Sequence, residues 1–385
     1  MLQKLKNIFW HPALTFFFAL KNGFPGHGMT VIGVTGTKGK SSVSEMLYEI
    51  FKAAGYKTAL ASGIHFAYPG ADEPNLFKMT MPGRGFLQRF LGKAQRAGTQ
   101  AAIVEITSEG AVQSRHRFIA LDGLVVTNIQ KEHIEAHGSF ENYVAAKRKI
   151  VHALGTSSKK KRVLVVNEDD PVAKTFLDVG VPTKLTFRGA ETPGDFHNAN
   201  MRAAVTVAEA FGISKEVAEQ AVASMPQIRG RVEPVECGQD FKAIVDYAHT
   251  PDSLIALYQR FPNTKRICVL GNTGGGRDTW KRPLMGEIAD GYCDTVILTN
   301  EDPYDEDPEK IVREMVTGMK KEPLIIMDRR TAIGKALSLA KSGDTVLISG
   351  KGTDPYIMEA NGKKLPWDDA RIVREELEKL GAREE

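Results

Sequence analysis

The chain contains few cysteines, and their spacing suggests no bond between them. Its 385 residues include three, Cys237, Cys268 and Cys293, and no two of them have the spacing of a zinc ribbon or of a small disulfide scaffold. All three stand in apolar surroundings that are typical of buried strands. The sequence therefore predicts neither a disulfide framework nor a zinc site, and this pattern of cysteine use indicates a cytoplasmic protein.

A strong charge of one sign is also missing. The formal net charge is +4 on 385 residues, which is too small to indicate a nucleic-acid partner. Charged residues make up 25% and hydrophobic residues 42% of the chain, which is typical of a globular protein with an ample core. We expect small-molecule substrates and a monomer.

No apolar run is long enough to cross a bilayer. Residues 8–20 are apolar and aromatic, but His11-Pro12 interrupts them, and no signal-peptide cleavage site follows. We expect a helix that packs on the domain after it. The alternative is a helix that lies on the inner leaflet of a membrane, with residues 4–21 in contact with lipid and lysines directed toward lipid phosphates.

A glycine-punctuated segment stands between a β-rich run and a helical pattern. Residues 33–42 read Gly-Val-Thr-Gly-Thr-Lys-Gly-Lys-Ser-Ser. Glycines let several backbone N–H groups turn toward one anion, and the helix N-terminus adds its positive end. The spacing is shorter than the usual phosphate-loop pattern, and the alternative is an ordinary strand–helix turn. The segment predicts an ATP-binding loop made of Gly36, Thr37, Lys38, Gly39, Lys40, Ser41 and Ser42.

Within this loop, two side chains have an expected role of their own. Lys40 would reach the β- and γ-phosphates, and the Ser41 hydroxyl would hold Mg²⁺.

Strand and helix patterns alternate along the rest of the chain. Strands are predicted at 31–34, 101–106, 123–127 and 162–166, and again at 243–246, 266–270, 295–298, 324–327 and 345–348. This rhythm is typical of α/β proteins with parallel sheets. We predict a helical segment at 1–29, a P-loop-type ATPase domain with a parallel sheet at 30–226, and a smaller Rossmann-like α/β domain at 227–385.

Several further motifs resemble those of the Mur ligase family. Residues 127–138 read Thr-Asn-Ile-Gln-Lys-Glu-His-Ile-Glu-Ala-His-Gly, and Tyr143 and Lys147 follow them. The segments at 246–254, 274–283, 299–308 and 350–352 resemble the branch that adds the third amino acid of the peptidoglycan stem peptide. The resemblance spans roughly residues 30–375 and implies an ATP-dependent amide ligase. Such an enzyme phosphorylates a carboxylate, and an amine then attacks the acyl phosphate.

The resemblance also implies which residues handle ATP and metal. Ser41 and Glu105 would bind one Mg²⁺, while His133 and a carbamylated Lys147 would bind a second. Asn128 and Asn200 would contact the nucleotide, and Arg277, Asp328 and Arg329 would close over it from the second domain. Lys281 and Arg282 are expected to form a cationic clamp near the transferred phosphate.

On the substrate side, the resemblance places the donor near Thr80, Met81, Pro82, Ser108 and Arg115. Glu109 stands where the family usually has a histidine. Asp246 and His249 are expected to position the amine. The acceptor would meet Glu301, Asp302, Tyr304, Gly350 and Asp354.

The residue at 304 decides the expected acceptor. Tyr304 replaces the arginine that pairs with the distal carboxylate of meso-diaminopimelate in the family, and the neighbouring acids suit an ammonium group. We therefore expect a diamino acid similar to L-lysine.

The identity of the donor stays open at this point. Only about 30 residues precede the nucleotide loop, too few for the family's UDP-binding domain. The first expectation is a muramoyl-peptide-like donor in cell-wall precursor synthesis. The alternatives are a folylpolyglutamate-type or other carboxylate–amino-acid ligase, and a non-catalytic or amidotransferase-partner protein with the same fold.

Overall fold

Parallel strands that are covered on both faces organise each half of the chain. The computed structural model describes residues 6–132, 134–191, 195–276 and 278–384. The chain divides into two compact units between Pro226 and Gln227. Each unit is a mixed α/β structure built on a mainly parallel sheet, so the predicted fold class is confirmed.

In the described part of the first unit, eight strands form one sheet in the order β4-β3-β2-β5-β1-β6-β7-β8. They are β1 Thr30–Thr35, β2 Thr58–Ala61, β3 His65–Tyr68, β4 Ala71–Pro74, β5 Ala101–Glu105, β6 Gly123–Val126, β7 Val163–Asn167 and β8 Thr183–Phe187. The central strand β1 pairs in parallel with β5 and β6, whereas β3 and β4 form an antiparallel edge.

Helices cover both faces of this sheet. They are α1 His11–Lys21, α2 Lys40–Ala53, α3 Phe86–Arg96, α4 Ser108–Val112, α5 Ile134–His137, α6 Phe140–Gly155, α7 Ala173–Leu177, α8 Phe196–Ala210 and α9 Lys215–Ser224. Successive side chains of a strand point to opposite faces, so Val31 enters one apolar core while Ile32 and Val34 enter the other.

The second unit repeats the plan on a smaller scale. Its strands are β9 Glu233–Pro234, β10 Lys242–Asp246, β11 Arg266–Leu270, β12 Thr295–Leu298, β13 Leu324–Ile325, β14 Thr345–Ser349, β15 Tyr356–Met358 and β16 Lys364–Pro366. The main sheet has the order β13-β12-β11-β14-β10-β9, and only β9 runs antiparallel in it. Its helices are α10 Pro251–Gln259, α11 Lys281–Tyr292, α12 Pro308–Val316, α13 Arg329–Leu339 and α14 Asp369–Glu384.

The N-terminal apolar segment is helical and packs on the first unit. A π-helical turn, Lys6–Trp10, leads into α1, whose buried side chains are His11, Thr15 and Ala19. The helix lies against α3, where the guanidinium of Arg84 hydrogen-bonds the His11 ring. Among the described residues, no helix has both the length and the apolar character that a membrane span needs.

The cysteines differ from the sequence-based expectation. Cys268 in β11 and Cys293 at the end of α11 are both buried, as expected, but they form a disulfide with a Cα–Cα distance of 6.2 Å. The prediction of no disulfide is therefore wrong, because the sheet brings together two residues that are 25 positions apart. Cys237 is exposed rather than buried.

The docking of α1 on α3 can be tested through two nearby glycines. A Cβ added at Gly85 would lie 2.1 Å from the Phe18 ring, whereas one added at Gly83 would meet no atom within 4 Å. Both glycines have a positive φ, so the backbone strain of an alanine is shared by the two variants. We expect Gly85→Ala to lower the free energy of unfolding by about 1–3 kcal/mol more than Gly83→Ala.

Thermal unfolding of the two variants measures this difference, at roughly 2–4 °C per kcal/mol for a unit of this size. Equal midpoints for Gly85→Ala and Gly83→Ala would mean that Phe18 does not pack on Gly85.

Candidate active site

Hydrogen bonds with the segment after β6 fix the backbone conformation of the loop between β1 and α2. The Thr37 N–H donates to the Asn128 carbonyl at 2.7 Å, and the Lys38 N–H donates to Asn128 Oδ1 at 3.0 Å. In return, Thr127 Oγ1 and Asn128 Nδ2 donate to the Lys38 carbonyl at 2.6 and 3.0 Å. The two segments lie next to each other because β1 and β6 are parallel neighbours that end at the same edge of the sheet.

Two glycines make this close approach feasible. Gly36 has a φ of +147°, and a Cβ there would lie 1.9 Å from Thr127 Oγ1. Gly39 has a φ of +79°, and a Cβ there would lie 2.3 Å from Asn200 Oδ1. Asn200, in the first turns of α8, therefore lies directly against the loop.

The start of α2 has the features of an anion site. Gly39 is its N-cap, and no side chain caps the first turn. The Lys40 ammonium group lies over the loop, where it donates to the carbonyls of Gly36 and Thr37 at 3.1 and 2.8 Å. Uncapped N–H groups together with a nearby ammonium are what a polyphosphate needs.

Three oxygen-bearing side chains surround Gly63, in the turn after β2. A Cβ added at Gly63 would lie 3.4 Å from Ser41 Oγ, 3.4 Å from Thr80 Oγ1 and 3.8 Å from Glu105 Oε2. Glu105 is buried at the end of β5, and its Oε1 accepts the Gly63 N–H at 2.9 Å. A hydroxyl and a carboxylate beside a phosphate loop suit Mg²⁺, which binds a few protein oxygens together with phosphate oxygens.

The turn that carries Gly63 is itself fixed by a polar network. Glu45 of α2 accepts a hydrogen bond from Ser62 Oγ at 3.0 Å and lies 3.0 Å from His65 Nε2. Burial alone would lower the pKa of His65, but Glu45 and Asp72 outweigh it and raise the pKa to about 9. The sequence analysis missed this network and Gly63. The Ser62-Gly63 turn signal before β3 was the available clue, because β2 and β5 end side by side.

The predicted donor residues come together beside this point. The Arg115 guanidinium donates to the Met81 carbonyl and to Gln113 Oε1, and among the described residues it bonds to no carboxylate. Met81 Sδ accepts the Thr107 N–H at 3.4 Å, and Pro82 is buried. Ser108 Oγ lies 3.0 Å from His137 Nε2, a contact that the sequence analysis did not predict.

Lys147 of α6 reaches the same loop from the other side. Its ammonium nitrogen lies 2.7 Å from the Gly36 carbonyl and 4.8 Å from the centre of the Tyr143 ring. The side chain is 1% exposed. Burial, and then the charge of Lys40, lower the pKa of Lys147 well below its ordinary value.

Two expected residues, His133 and Arg277, lie outside the described residues. Within the described ranges, no group of three or more His, Cys, Asp or Glu side chains has the arrangement of a metal site. The candidate Mg²⁺ position at Ser41 and Glu105 has one such residue, the carboxylate of Glu105.

In the second unit, the predicted acceptor residues follow neighbouring parallel strands. The loops after β10, β11, β12 and β14 lie at one edge of the sheet. The Gly274 N–H donates to the Asp302 carbonyl at 2.8 Å, and the Gly350 N–H donates to the Asp246 carbonyl at 3.2 Å. Tyr304 has a left-handed φ of +52° and lies over Gly275.

The acids at this edge are not all available to an acceptor, which corrects one expectation. Lys351 Nζ donates to both oxygens of Asp302 at 2.9 and 3.0 Å, and it lies 3.5 Å from Asp354. Asp302 is therefore a partner of a buried lysine.

Within the described residues, the Glu301 carboxylate is hydrogen-bonded through one of its two oxygens. Its Oε1 accepts from Thr273 at 2.9 Å, while its buried Oε2 has no hydrogen-bond partner among the described residues. Burial, and then Asp302, raise the pKa of Glu301.

Two of the predicted cations, Lys281 and Arg282, form hydrogen bonds or ion pairs with other residues of the second unit. Arg282 is fully buried and pairs with Glu306 and Glu314 at 2.7 and 2.6 Å. Lys281 Nζ donates to the His249 carbonyl at 3.1 Å. These contacts hold the loops of the unit together.

Arg329, which the resemblance places at the nucleotide, is also buried within the second unit. It is 2% exposed and pairs with Asp369 at 2.7 Å, while Asp328 caps α13.

Asp246 and His249 shape the loop after β10. The Asp246 carboxylate accepts the N–H groups of Val232 and Ala248 at 2.8 and 2.7 Å, and burial raises its pKa. His249 Nδ1 lies 2.7 Å from the Tyr247 carbonyl.

Comparison with known proteins agrees with this arrangement. Residues 34–221 match the Mur ligase middle domain, and residues 230–352 match the Mur ligase glutamate ligase domain. The UDP-N-acetylmuramoyl-L-alanyl-D-glutamate–2,6-diaminopimelate ligase of Syntrophomonas wolfei is 32% identical over 95% of this chain and 81% of its own length. The UDP-N-acetylmuramyl-tripeptide synthetase of a Roseiflexus species is 33% identical over 93% and 80%.

Solved structures give the same picture. A UDP-N-acetylmuramoyl-L-alanyl-D-glutamate–2,6-diaminopimelate ligase superposes with a TM-score of 0.63 at 26% identity, over 95% of this chain and 81% of that one. The FolC protein of E. coli, in complex with DHPP and ADP, has a TM-score of 0.69 at 17% identity, over 97% and 93%. The latter likeness shows the fold alone. The chain belongs to the Mur ligase family of ATP-dependent amide ligases.

Proposed function

We propose that this ligase acts in cell-wall precursor synthesis, where it joins a muramoyl-peptide-like carboxylate donor to a diamino acid. One observation carries the proposal: the phosphate loop, Glu105 and the donor segment at Thr80 converge on Gly63. A carboxylate and a γ-phosphate must meet at one point for phosphoryl transfer, and this is such a point. We assign ATP and the donor to residues 30–226 and the acceptor to residues 227–385.

The loop residues supply positive charge where negative charge accumulates. The N–H groups at the start of α2 and the Lys40 ammonium would hold the β- and γ-phosphates, while Ser41 and Glu105 would hold Mg²⁺. When bound, Mg²⁺ neutralises charge on the transferring phosphoryl group. Asn128 and Asn200 keep the loop in shape and border the nucleotide.

Arg115 is suited to bind the donor. Its guanidinium is half-buried, and the oxygen atoms that it contacts in the described residues are uncharged. A carboxylate of the donor peptide would form charge-assisted hydrogen bonds there, beside Thr80, Met81, Pro82 and Ser108.

Lys147 has the properties that a carbamylated lysine needs. A neutral amine attacks CO₂, and the desolvated Lys147 side chain is neutral more readily than an exposed lysine. The product is a carboxylate-like group beside the phosphate loop, where together with His133 it would hold a second Mg²⁺.

The acceptor site favours an ammonium group over a second carboxylate. Lys351 and Arg329, the two cations whose charge acts on Glu301, are already paired with Asp302 and Asp369. The Glu301 Oε2 atom is buried against Gly350 and has no hydrogen-bond partner among the described residues. L-lysine fits this charge better than meso-diaminopimelate, although several relatives are named for the latter.

The proposed setting is cytoplasmic, with the chain as a monomer. A peripheral contact of residues 4–21 with a membrane is part of the proposal. It is supported by the exposed aromatic side chains of α1 and of the turn before it.

The proposed role of the Gly63 region can be tested by a substitution that fills the space beside this glycine. The Cβ of Gly63→Ala would meet its neighbours at 3.4–3.8 Å, an ordinary contact distance, so the fold should be kept. The methyl group would occupy the space between Ser41, Thr80 and Glu105. We expect kcat to fall by about 10²-fold, and the Mg²⁺ concentration for half-maximal activity to rise.

Gly180→Ala is the matched control, because a Cβ there meets no atom within 4 Å. Amine-dependent phosphate release, measured for both variants over a series of Mg²⁺ concentrations, gives the comparison. Wild-type kcat in a folded Gly63→Ala protein would rule out this point as the site of phosphoryl transfer.

A second prediction concerns Lys147. Lys147→Ala should lose about 10²–10³-fold in activity and recover part of it with a short free carboxylic acid, which can occupy the vacated space. Incubation with ¹³C-bicarbonate should give a carbamate NMR signal that Lys147→Ala lacks and the exposed-site control Lys52→Ala keeps. A fully active Lys147→Ala, or a wild-type protein without the signal, would refute carbamylation.

The third prediction concerns the acceptor. We expect kcat/KM for L-lysine to exceed that for meso-diaminopimelate by about 10²-fold, since a charge-assisted hydrogen bond to the distal carboxylate contributes about 1.5–3 kcal/mol. Tyr304→Arg should reduce this ratio by restoring a bidentate partner. A clear wild-type preference for meso-diaminopimelate would show that another cation of the site binds the distal carboxylate.

A further inference from the structure

Exposed apolar side chains are concentrated in two short segments of the first unit. Of the 15 large hydrophobic side chains that are exposed in the described chain, eight belong to residues 9–20 or 76–79. They are Phe9, Trp10, Phe16, Phe17, Leu20, Leu76, Phe77 and Met79, with 46–68% of each exposed. Single exposed apolar residues are ordinary on a protein surface, but a cluster of this size marks an interaction site.

The two segments meet at the start of α3. Phe18 of α1 packs on Gly85, the N-cap of α3, and the Arg89 guanidinium lies 4.8 Å from the Phe18 ring. On the other side, the Phe77 ring lies 5.8 Å from the ring of Phe86, the first residue of α3. The exposed residues of both segments thus flank one helix end, and we call this surface the apolar platform.

The two segments are rich in cations, and the exposed acids Asp72 and Glu73 directly precede the second one. Acidic residues number 47 in 385, or about one in eight, yet none occurs in residues 1–44 or in residues 74–104. The second stretch carries five cations, Lys78, Arg84, Arg89, Lys93 and Arg96. Of these five, Arg89, Lys93 and Arg96 are exposed on α3. Lys21, at the end of α1, is exposed as well.

We propose that the apolar platform docks on an anionic lipid surface and holds the donor segment, residues 80–82, at that surface. Aromatic side chains at the depth of the headgroups, with lysines and arginines around them, are the features of proteins that lie on membranes. A nucleic acid would stack bases on the aromatic rings but would leave Leu20, Leu76 and Met79 without an apolar partner. The surface extends the contact at residues 4–21 to a second segment, which continues directly into Thr80.

Only the role of residues 80–82 rests on the proposed function. Vesicle binding is measured without ATP or substrates, so a failure of the ligase assignment leaves its result unaffected. Conversely, ligase activity on a water-soluble donor does not require docking.

The test uses the full chain with vesicles of phosphatidylcholine alone or mixed with phosphatidylglycerol. We expect co-sedimentation with the anionic vesicles, weaker binding at high ionic strength, and little binding to neutral vesicles. Brominated lipids should quench tryptophan fluorescence. Of the three tryptophans, Trp10, Trp280 and Trp367, only Trp10 lies on the platform, so Trp10→Phe should remove the quenching and Trp280→Phe should keep it.

Charged substitutions measure the contribution of each segment to vesicle binding separately. Phe17→Glu with Leu20→Glu, and independently Leu76→Glu with Met79→Glu, should each weaken vesicle binding at least tenfold. All four positions are exposed, so the fold is kept. Trp280→Glu is the matched control, because Trp280 and Trp10 are both 58% exposed.

Three results would overturn the proposal. One is the absence of binding to anionic vesicles at low ionic strength. Another is binding that the second pair of substitutions leaves unchanged, which would remove residues 76–79 from the surface. The last is concentration-dependent self-association that Phe17→Glu abolishes, which would make a second copy of the chain the partner.

Discussion

The close contact between the β1–α2 loop and the segment after β6 is the constraint on which the rest of the first unit depends. Gly36 must approach Thr127 so closely that no side chain fits between them, and Asn128 holds the Lys38 backbone through two hydrogen bonds. This contact fixes the backbone N–H groups, the position of Lys40 and the start of α2. Lys147 and Asn200 then reach the loop from the helices that pack around it.

Parallel strand order explains why the candidate site residues of the first unit lie close together. Strands β2, β5, β1 and β6 are consecutive neighbours in the sheet, so the turn at Gly63, the carboxylate of Glu105, the phosphate loop and Asn128 all follow carboxyl ends at one edge. In the second unit, four loops likewise follow the carboxyl ends of neighbouring parallel strands: 246–250, 271–276, 299–304 and 350–354. The same arrangement of parallel strands thus positions the candidate residues of each unit.

The sequence was sufficient for the fold class and for the glycine-containing turn between β1 and α2, because strand periodicity and glycine spacing are local signals. It was less informative about contacts between distant segments. The disulfide between Cys268 and Cys293, the pairing of Lys351 with Asp302 and the burial of Arg282 depend on which strands become neighbours. Gly63 was missed for the same reason, since its importance lies in the side chains that surround it and not in its own sequence context.

The central claim is that the donor carboxylate attacks the γ-phosphate of ATP beside Gly63 and that an amine then displaces phosphate from the acyl phosphate. Mass spectrometry of the phosphate released from a donor with an ¹⁸O-labelled carboxylate tests this claim directly. The account predicts one ¹⁸O atom in the phosphate for every amide formed. Unlabelled phosphate alongside amide formation would contradict it, because the carboxylate oxygen would then never have been bonded to phosphorus.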